Sequence, residues 1–410
     1  MVYLRFVRCR MSSDQDLDFD NTQIAFSYKS NSELRKANLI FTLVNHPSVS
    51  SVAIALVKWG LKLKLPIKGI IRATAFRHFC GGETIDDCEN TIQQLNRFQV
   101  KTILDYSVEG AKTEAGFEAT TEEVLHTFDK ARKNTAVPFC VFKVTGIGDA
   151  GLLEKVQKKE VLSTVEQEAF ERIADRVNRI CRKAFTDQVP VLIDAEDSWY
   201  QCVIDDMAYA MMKKYNVNQA LIFNTFQMYR TDMYSNLVKA SGEAKEGNYF
   251  LGVKMVRGAY MEIERQRAEE NHYPDPIQPT KEATDDSFNK GLAFCIDNID
   301  HIAIMCGSHN EYSNLLLTRL LEKKGLEKND QRVWFAQLLG MSDTISFNLA
   351  EAGYRVAKYV PYGPVEAVMP YLFRRAEENT SVEGQSSREM VVIRKELRRR
   401  RAPGKDSSLG

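Results

Sequence analysis

From about position 100 onward the chain alternates between two hydrophobic periods. Short runs of apolar, β-branched and aromatic residues occupy 102–107, 138–144, 189–193, 219–226, 250–256, 302–307, 333–338 and 355–360. Runs this short and this continuous in apolar character read as strands buried on both faces. Between them, apolar residues recur at helical spacing over 121–133, 163–184, 198–214, 232–239, 281–295, 311–324 and 345–352. The alternation predicts an α/β fold with a parallel sheet, and the strand count favours a closed (β/α)8 TIM-like barrel. The competing arrangement is an open, doubly wound sheet.

Outside that region the pattern changes. Residues 1–29 are polar and acidic after a short basic start, which predicts a poorly ordered lead-in. Residues 30–99 read as an N-terminal helical arm, with Leu34, Ala37, Ile40 and Val44 at helical spacing and a break at 45–47. Within it, 58–78 interleaves lysine and arginine with apolar residues, as an arm packed on the main domain or as a stretch lying on an anionic membrane. Gly81 and Gly82 open a turn into a helix through about 98. Residues 100–380 form the barrel domain, and 381–410 a basic C-terminal helix and tail.

In a barrel of this kind, polar residues at the C-terminal strand ends line the active face. Those positions hold Asp105 and Glu109, Lys143, Asp194 and Glu196, Gln227, Lys254 with Arg257 and Tyr260, His309 with Asn310, Gln337 and Tyr359. Over 359–380 a strand-like run turns at Gly363 and Pro364 and becomes helical. Tyr371, Arg374, Arg375 and Glu378 then share one helix face. Paired guanidinium groups suit a carboxylate held by parallel hydrogen bonds. A solvated basic face is the plainer reading of the same residues.

Composition narrows the function. The 55 basic and 55 acidic side chains cancel, which sets bulk nucleic-acid binding aside. The 8 cysteines lack metal or redox spacing and read as reduced, mostly buried thiols. The 6 histidines show no paired spacing, so no metal site is expected. No run reaches the ~18–20 apolar residues of a membrane span. Residues 1–10 are basic, apolar and short: an alternative or non-native start, or the remnant of a targeting segment. GIGDAG at 146–151 matches a dinucleotide-binding fingerprint by letter. The following strand lies too far on, and Lys143 interrupts the preceding one, so a tight loop at the barrel rim is the better reading.

The motifs in combination resemble the proline dehydrogenase family, flavoenzymes that oxidise L-proline to Δ1-pyrroline-5-carboxylate. They are VFK at 141–143, LIDAED at 192–197, NTFQ at 224–227, KMVRGAY at 254–260, SHN at 308–310, FAQLLGM at 335–341 and YLFRRAEEN at 371–379. FCGGE at 79–83 resembles the single-function members. The likeness runs from about 105 to 400, and it implies a distorted barrel with FAD over the strand ends and a last helix that closes over the substrate.

By this resemblance Arg374, Arg375 and Lys143 bind the proline carboxylate, while Tyr359 and Leu338 pack against its ring. Asp194 is implied as the buried acid beside that lysine, and Glu109 as the partner of Arg374 that gates the site. Lys254 is implied near the reactive flavin edge and Gln227 against the flavin ring. Arg257, Gly258, Ala259, Tyr260, Lys281, Thr284, His309, Asn310, Gln337 and Glu378 are implied around the rest of the FAD. Read from the residues alone, Asp194 also serves as a simple neutraliser of Lys143, Leu338 as core, and Lys281 as a solvated helix residue.

The implied reaction is the first step of proline catabolism: hydride transfer to flavin N5, with electrons passed on to a quinone. A quinone requires contact with a membrane surface, for which 393–401 and 58–77 are the candidates. No aldehyde dehydrogenase module follows in this sequence, which implies hand-off to a separate pyrroline-5-carboxylate dehydrogenase. Lys254 replaces an arginine of the bifunctional bacterial branch, and Tyr359 favours proline over hydroxyproline. The implied location is cytoplasmic in a bacterium, or peripheral at the inner membrane on the matrix side in a eukaryote. Three other functions fit parts of the pattern: hydroxyproline oxidation, a Schiff-base barrel aldolase using Lys143, and a non-enzymatic scaffold or membrane-surface binding protein.

Overall fold

The computed structural model describes residues 17–44, 68–108, 112–381 and 385–401. Eight parallel strands close into a barrel in sequence order. They are β1 Val100–Tyr106, β2 Phe139–Phe142, β3 Val191–Ile193, β4 Ile222–Gln227, β5 Leu251–Val256, β6 Ile302–Gly307, β7 Val333–Leu338 and β8 Val356–Tyr362. The register between β8 and β1 runs from Val356 against Val100 to Tyr362 against Tyr106, so the sheet has no edge. Closure rules out the open doubly wound arrangement.

Each strand feeds two cores, because successive side chains point to opposite faces. Ile103, Phe139, Val141, Leu192, Phe223, Met305, Trp334 and Ala357 fill the barrel interior. Their neighbours Leu104, Cys140, Val191, Ile222, Ile304 and Val356 pack outward beneath the helices. Gly252 has inward parity on β5 but no room for a side chain: a Cβ would lie 2.2 Å from the Ile222 carbonyl oxygen and 2.8 Å from Cγ of Phe223.

The expected helices are present, and two more appear in the long connections, Ala150–Gln157 and Met261–Glu270. The first explains the GIGDAG stretch. Asp149 caps that helix by accepting the Leu152 N–H at 2.8 Å, and a Cβ on Gly148 would strike Ile173 at 2.5 Å. The glycine therefore lets a helix approach closely, as a rim loop requires.

A third core is built by the chain ends. Phe26, Leu34, Phe41, Phe76, Phe79, Val368, Leu372 and Ile393 pack together. They come from the segment 17–29, helix Asn31–Val44, the segment 68–79, helix Val365–Ser381 and helix Gln385–Arg401. The segment 68–79 contains a π-turn at Arg72–Phe76. The helix expected after the glycine turn begins later, at Glu89–Asn96.

The lead-in expectation needs correction for residues 17–29. Phe19, Ala25 and Phe26 are buried, and Tyr28 stacks on Phe347 with centroids 4.4 Å apart. What holds this polar segment is the C-terminal helix. Arg400 donates to the carbonyls of Phe26 at 2.7 Å and Lys29 at 2.8 Å, and Lys395 donates to that of Asp20 at 2.7 Å. Arg399 and Arg400 both grip the fully buried Glu396. Much of the tail's positive charge thus works inside the molecule. The candidate membrane stretch at 58–67 lies outside the described residues. No helix among the described residues is long and apolar enough to cross a membrane.

Candidate active site

Inward parity carries past the strand ends. Asp105, Lys143, Asp194, Gln227, Lys254, Leu338 and Tyr359 each stand an even number of residues from an interior residue of their own or the paired strand. They therefore converge on one mouth. There Lys254 Nζ donates to Asp194 Oδ1 at 2.6 Å and lies 4.4 Å from the Tyr359 ring centroid, within cation–π range. The expectation for Asp194 is a place beside Lys143; its hydrogen-bonded lysine is Lys254.

Electrostatics bind the cluster together. Asp105 accepts from the Ser107 hydroxyl at 2.8 Å. Burial first, and the charge of Asp194 second, push the Asp105 carboxyl up, while Lys143 pulls it back. Glu196 accepts from the Thr145 N–H at 3.1 Å and from its hydroxyl. Burial pushes the Glu196 carboxyl up to about 7 against the charge of Lys143. Gln227 is fixed by donating to the Glu196 carbonyl at 2.8 Å. Tyr359 is the neighbour of Leu338 across β7 and β8, and burial raises its phenol well above the usual range. The Tyr359 hydroxyl is itself buried with no hydrogen-bond partner among the described residues.

The Arg-Arg helix, Val365–Ser381, lies over this mouth. Arg375 is buried, its guanidinium carbon 5.2 Å from the Tyr371 ring centroid. The charge of Arg374 reaches Asp197 and Tyr260, opposing the upward push that burial gives both. That of Arg375 reaches His309. Glu109 and the side chain of Glu378 lie outside the described residues.

A second arc follows β5 and β6. Arg257 donates to Asp285 Oδ1 at 2.6 Å and to the hydroxyls of Ser308 and Ser313, both at 2.9 Å. Its guanidinium carbon lies 4.4 Å from the Phe288 ring centroid. Lys281 reaches the other oxygen of Asp285 at 2.6 Å, so one carboxylate fixes both cations. Although burial acts to raise it, the bonds from Lys281 and Arg257 hold the Asp285 carboxyl below its ordinary range. Sequence reasoning missed Asp285; its position one helical turn after Lys281 was the available signal. Thr284 is buried beside it.

Asn310 caps helix Glu311–Lys324 by accepting the Ser313 N–H at 2.9 Å. His309 Nδ1 lies 2.8 Å from the Ser342 hydroxyl. Burial, then the charges of Lys358, Arg375 and Arg257, lower the His309 imidazole to about 3 and so keep it neutral. Gln337 has the opposite parity to Leu338 and faces the helix layer. It donates to the Ser308 carbonyl at 3.0 Å and accepts from Ser346 at 2.8 Å, bracing the loops around the mouth. Ala259 is exposed and Tyr260 half-buried. Gly258, at φ +136°, has a protein neighbour: a Cβ there would stand 2.5 Å from the Tyr229 ring.

With this geometry in place, the comparisons with known proteins become decisive. The sequence profile of the family described as proline dehydrogenase matches residues 88–388. The chain belongs to the proline dehydrogenase family. It is 32% identical over 435 residues to proline dehydrogenase 1, mitochondrial, of Dictyostelium discoideum, across 95% of this chain and 76% of that protein. The human protein of the same name is 42% identical over 242 residues, covering 58% of this chain and 40% of the human one. Among solved structures, proline utilization A from Bdellovibrio bacteriovorus superposes with a TM-score of 0.71 at 20% identity. That match covers 94% of this chain and 42% of the bacterial one, and supports the barrel fold. Membership makes the chain an oxidoreductase of the proline-oxidising class.

Proposed function

We propose that this chain oxidises L-proline to Δ1-pyrroline-5-carboxylate, with FAD bound over the strand ends, as the first step of proline breakdown. The observation that carries the reading is the mouth itself. Lys143 and Lys254 stand on inward-facing strand ends, with Tyr359 beside Lys254 and the Arg374–Arg375 helix above. A small amino acid with a carboxylate and an apolar ring matches that set.

The residues around the mouth also fit FAD. Arg257 is immobilised by Asp285, Ser308 and Ser313 and keeps further N–H donors for a ligand. The Tyr359 hydroxyl is a buried polar atom awaiting a partner. Gln227, Lys254, Arg257, Tyr260, Lys281, Thr284, His309 and Asn310 are assigned to hold the cofactor. When bound, the flavin supplies the acceptor for hydride.

The chain's own residues do the rest. Arg374, Arg375 and Lys143 hold the carboxylate through charge-assisted hydrogen bonds. Tyr359 and Leu338 fix the ring, converting an encounter into a reactive pose. Lys143 and Lys254 place positive charge near the substrate nitrogen and so favour the neutral amine. Its lone pair forms the C=N bond as the adjacent ring carbon gives up hydride. Asp194 holds Lys254 in position.

Electrons then pass to a quinone at a membrane surface, and the product passes to a dehydrogenase specific for it. Relatives named as mitochondrial support a mitochondrial location; the peripheral place at the inner membrane follows from the proposed quinone acceptor. The test is an absorption spectrum of the purified protein before and after anaerobic L-proline. Flavin bands that bleach with proline, and less with hydroxyproline, are the expected result. A colourless protein that fails to take up added FAD would overturn the proposal.

A further inference from the structure

Ser342 has a backbone that serine does not favour. Its φ of +51° and ψ of +43° are left-handed, a region that glycine enters at no steric cost and other residues rarely visit. Gly340, two positions earlier, uses that freedom at φ +78°. A serine kept in such a conformation calls for a reason in its side chain, and the hydroxyl has one. Ser342 Oγ lies 2.8 Å from His309 Nδ1.

The strained backbone is clamped from several directions. The Ser342 N–H donates to Glu389 Oε1 at 2.5 Å, from the C-terminal helix. Its carbonyl accepts the N–H groups of Ile345 and Ser346, both at 3.1 Å. The next residue, Asp343, is tied to Tyr28 and Lys29 of the N-terminal arm, each at 2.7 Å, and to Lys358 of β8 at 2.9 Å. Both chain ends therefore determine where the Ser342 hydroxyl sits.

His309 is the group that hydroxyl acts on. A neutral imidazole has one N–H and one lone pair, and the partner of one nitrogen decides what the other offers. We propose that Ser342, held by Glu389, is a positioning residue that fixes the ring orientation of His309 through its Nδ1 and thereby sets the affinity for flavin. This rests on the assignment of His309 to the flavin site. It makes the C-terminal helix part of the cofactor-binding apparatus without touching the cofactor.

The substitution Ser342→Gly separates the hydroxyl from the fold. It keeps the N–H for Glu389, relieves the left-handed strain and removes only the CH2OH side chain that carries Oγ. Flavin dissociation is read by fluorescence on diluting the flavin-loaded protein, beside the thermal midpoint and the 15N shifts of the His309 ring. Expected are an unchanged or higher midpoint, a flavin Kd raised about tenfold, and a shift of the Nδ1 resonance that reports the lost hydrogen bond. In a His309→Ala background the same substitution should leave Kd unchanged.

If His309→Ala by itself does not weaken flavin binding, the assignment of His309 fails and the proposal with it. If His309→Ala weakens binding but Ser342→Gly does not, the assignment stands and the proposal is overturned. An equal loss from Ser342→Gly in both backgrounds would also overturn it, because the hydroxyl would then act through the fold rather than through His309.

Discussion

Two Lys–Asp pairs near the strand ends of this barrel use the same chemistry to opposite purposes. Lys254–Asp194 lies at the mouth, 2.6 Å apart, with the side chains 8% and 15% exposed. Lys358–Asp343 lies on the side where the chain ends meet, 2.9 Å apart and 0% and 2% exposed. Parity separates them: Lys254 pairs across the sheet with the inward Met305, whereas Lys358 falls between the inward Ala357 and Tyr359. The sealed pair is held on several sides: Tyr28 and Lys29 bond Asp343 Oδ2, the Leu338 and Met341 carbonyls accept from the lysine, and Oδ1 is left to its ion pair with Lys358. The mouth pair has an aromatic ring for its neighbour and is the more exposed of the two. A buried charge pair gives cohesion when hydrogen bonds from the surrounding protein hold it. Under the proposed function, the mouth pair instead serves binding.

The largest expected effect tests that contrast directly. Asp343→Asn leaves Lys358 buried without its counter-charge and should cost about 3–5 kcal/mol in urea unfolding. Asp194→Asn should cost less stability but lower proline turnover by about 10- to 100-fold, because Lys254 loses the group that orients it. Equal stability losses from the two substitutions would erase the distinction. Replacing both members of the sealed pair, Asp343→Leu with Lys358→Met, should recover only part of the loss: it removes the orphaned Lys358 charge, but Lys29 and the Tyr28 hydroxyl still lose Asp343.

Next in size is Arg375→Lys. It keeps the charge and loses the planar fork, so KM for proline should rise about tenfold with little change in unfolding. A change in stability instead of KM would assign Arg375 to the structural side. The finest test is pH. Burial, then the charge of Asp343, push the Glu389 carboxyl up to about 7. A raised carboxyl binds its proton more tightly folded than unfolded. Its contribution is therefore full below the unfolded value of ~4.3 and lost as pH rises toward 7. Glu389→Gln should flatten that limb, with a thermal midpoint above the wild type at pH 8 and converging on it near pH 4. Asp343 works in the opposite sense. Although burial acts to raise it, Lys29 and Lys358 hold it far below the carboxylate range. Its share of stability is present at neutral pH and lost only in strong acid.

The barrel and its mouth were legible because short continuous apolar runs alternate with helical-period segments, and polar residues fall at the C-terminal ends of those runs. Strands 302–307 and 333–338 and helix 311–324 agree with the structure to the residue. Once β3 and β5 are placed, the inward parity of Asp194 and Lys254 follows from counting. The side where the chain ends meet was not legible. Phe26 is buried and the carbonyl of Lys29 is bound by a helix that comes hundreds of residues later, while the local sequence is merely polar. Met261–Glu270 was missed because charged residues interrupt any apolar stripe and only Glu264 and Ala268 are buried. Lys358 did leave a signal, a lone lysine in an otherwise apolar strand, but its partners are distant in sequence. Gly258 is implied beside the FAD by the resemblance alone, and the neighbour that leaves no room for a side chain there is the Tyr229 ring.

The seam between β1 and β8 has a consequence for how the molecule comes into being. Val100 finds its partner only in Val356, and the helix above the mouth rests on Phe26 and Phe41 from one end and Ile393 from the other. A chain emerging from the ribosome holds its early strands for a long interval with an unpaired edge. The many contacts between distant residues make closure slow. The mouth is complete only after translation has delivered the closing strand, the Arg-Arg helix and the segment that supports it. Its assembly therefore waits on residues that lie about 250 positions and more beyond the first strand.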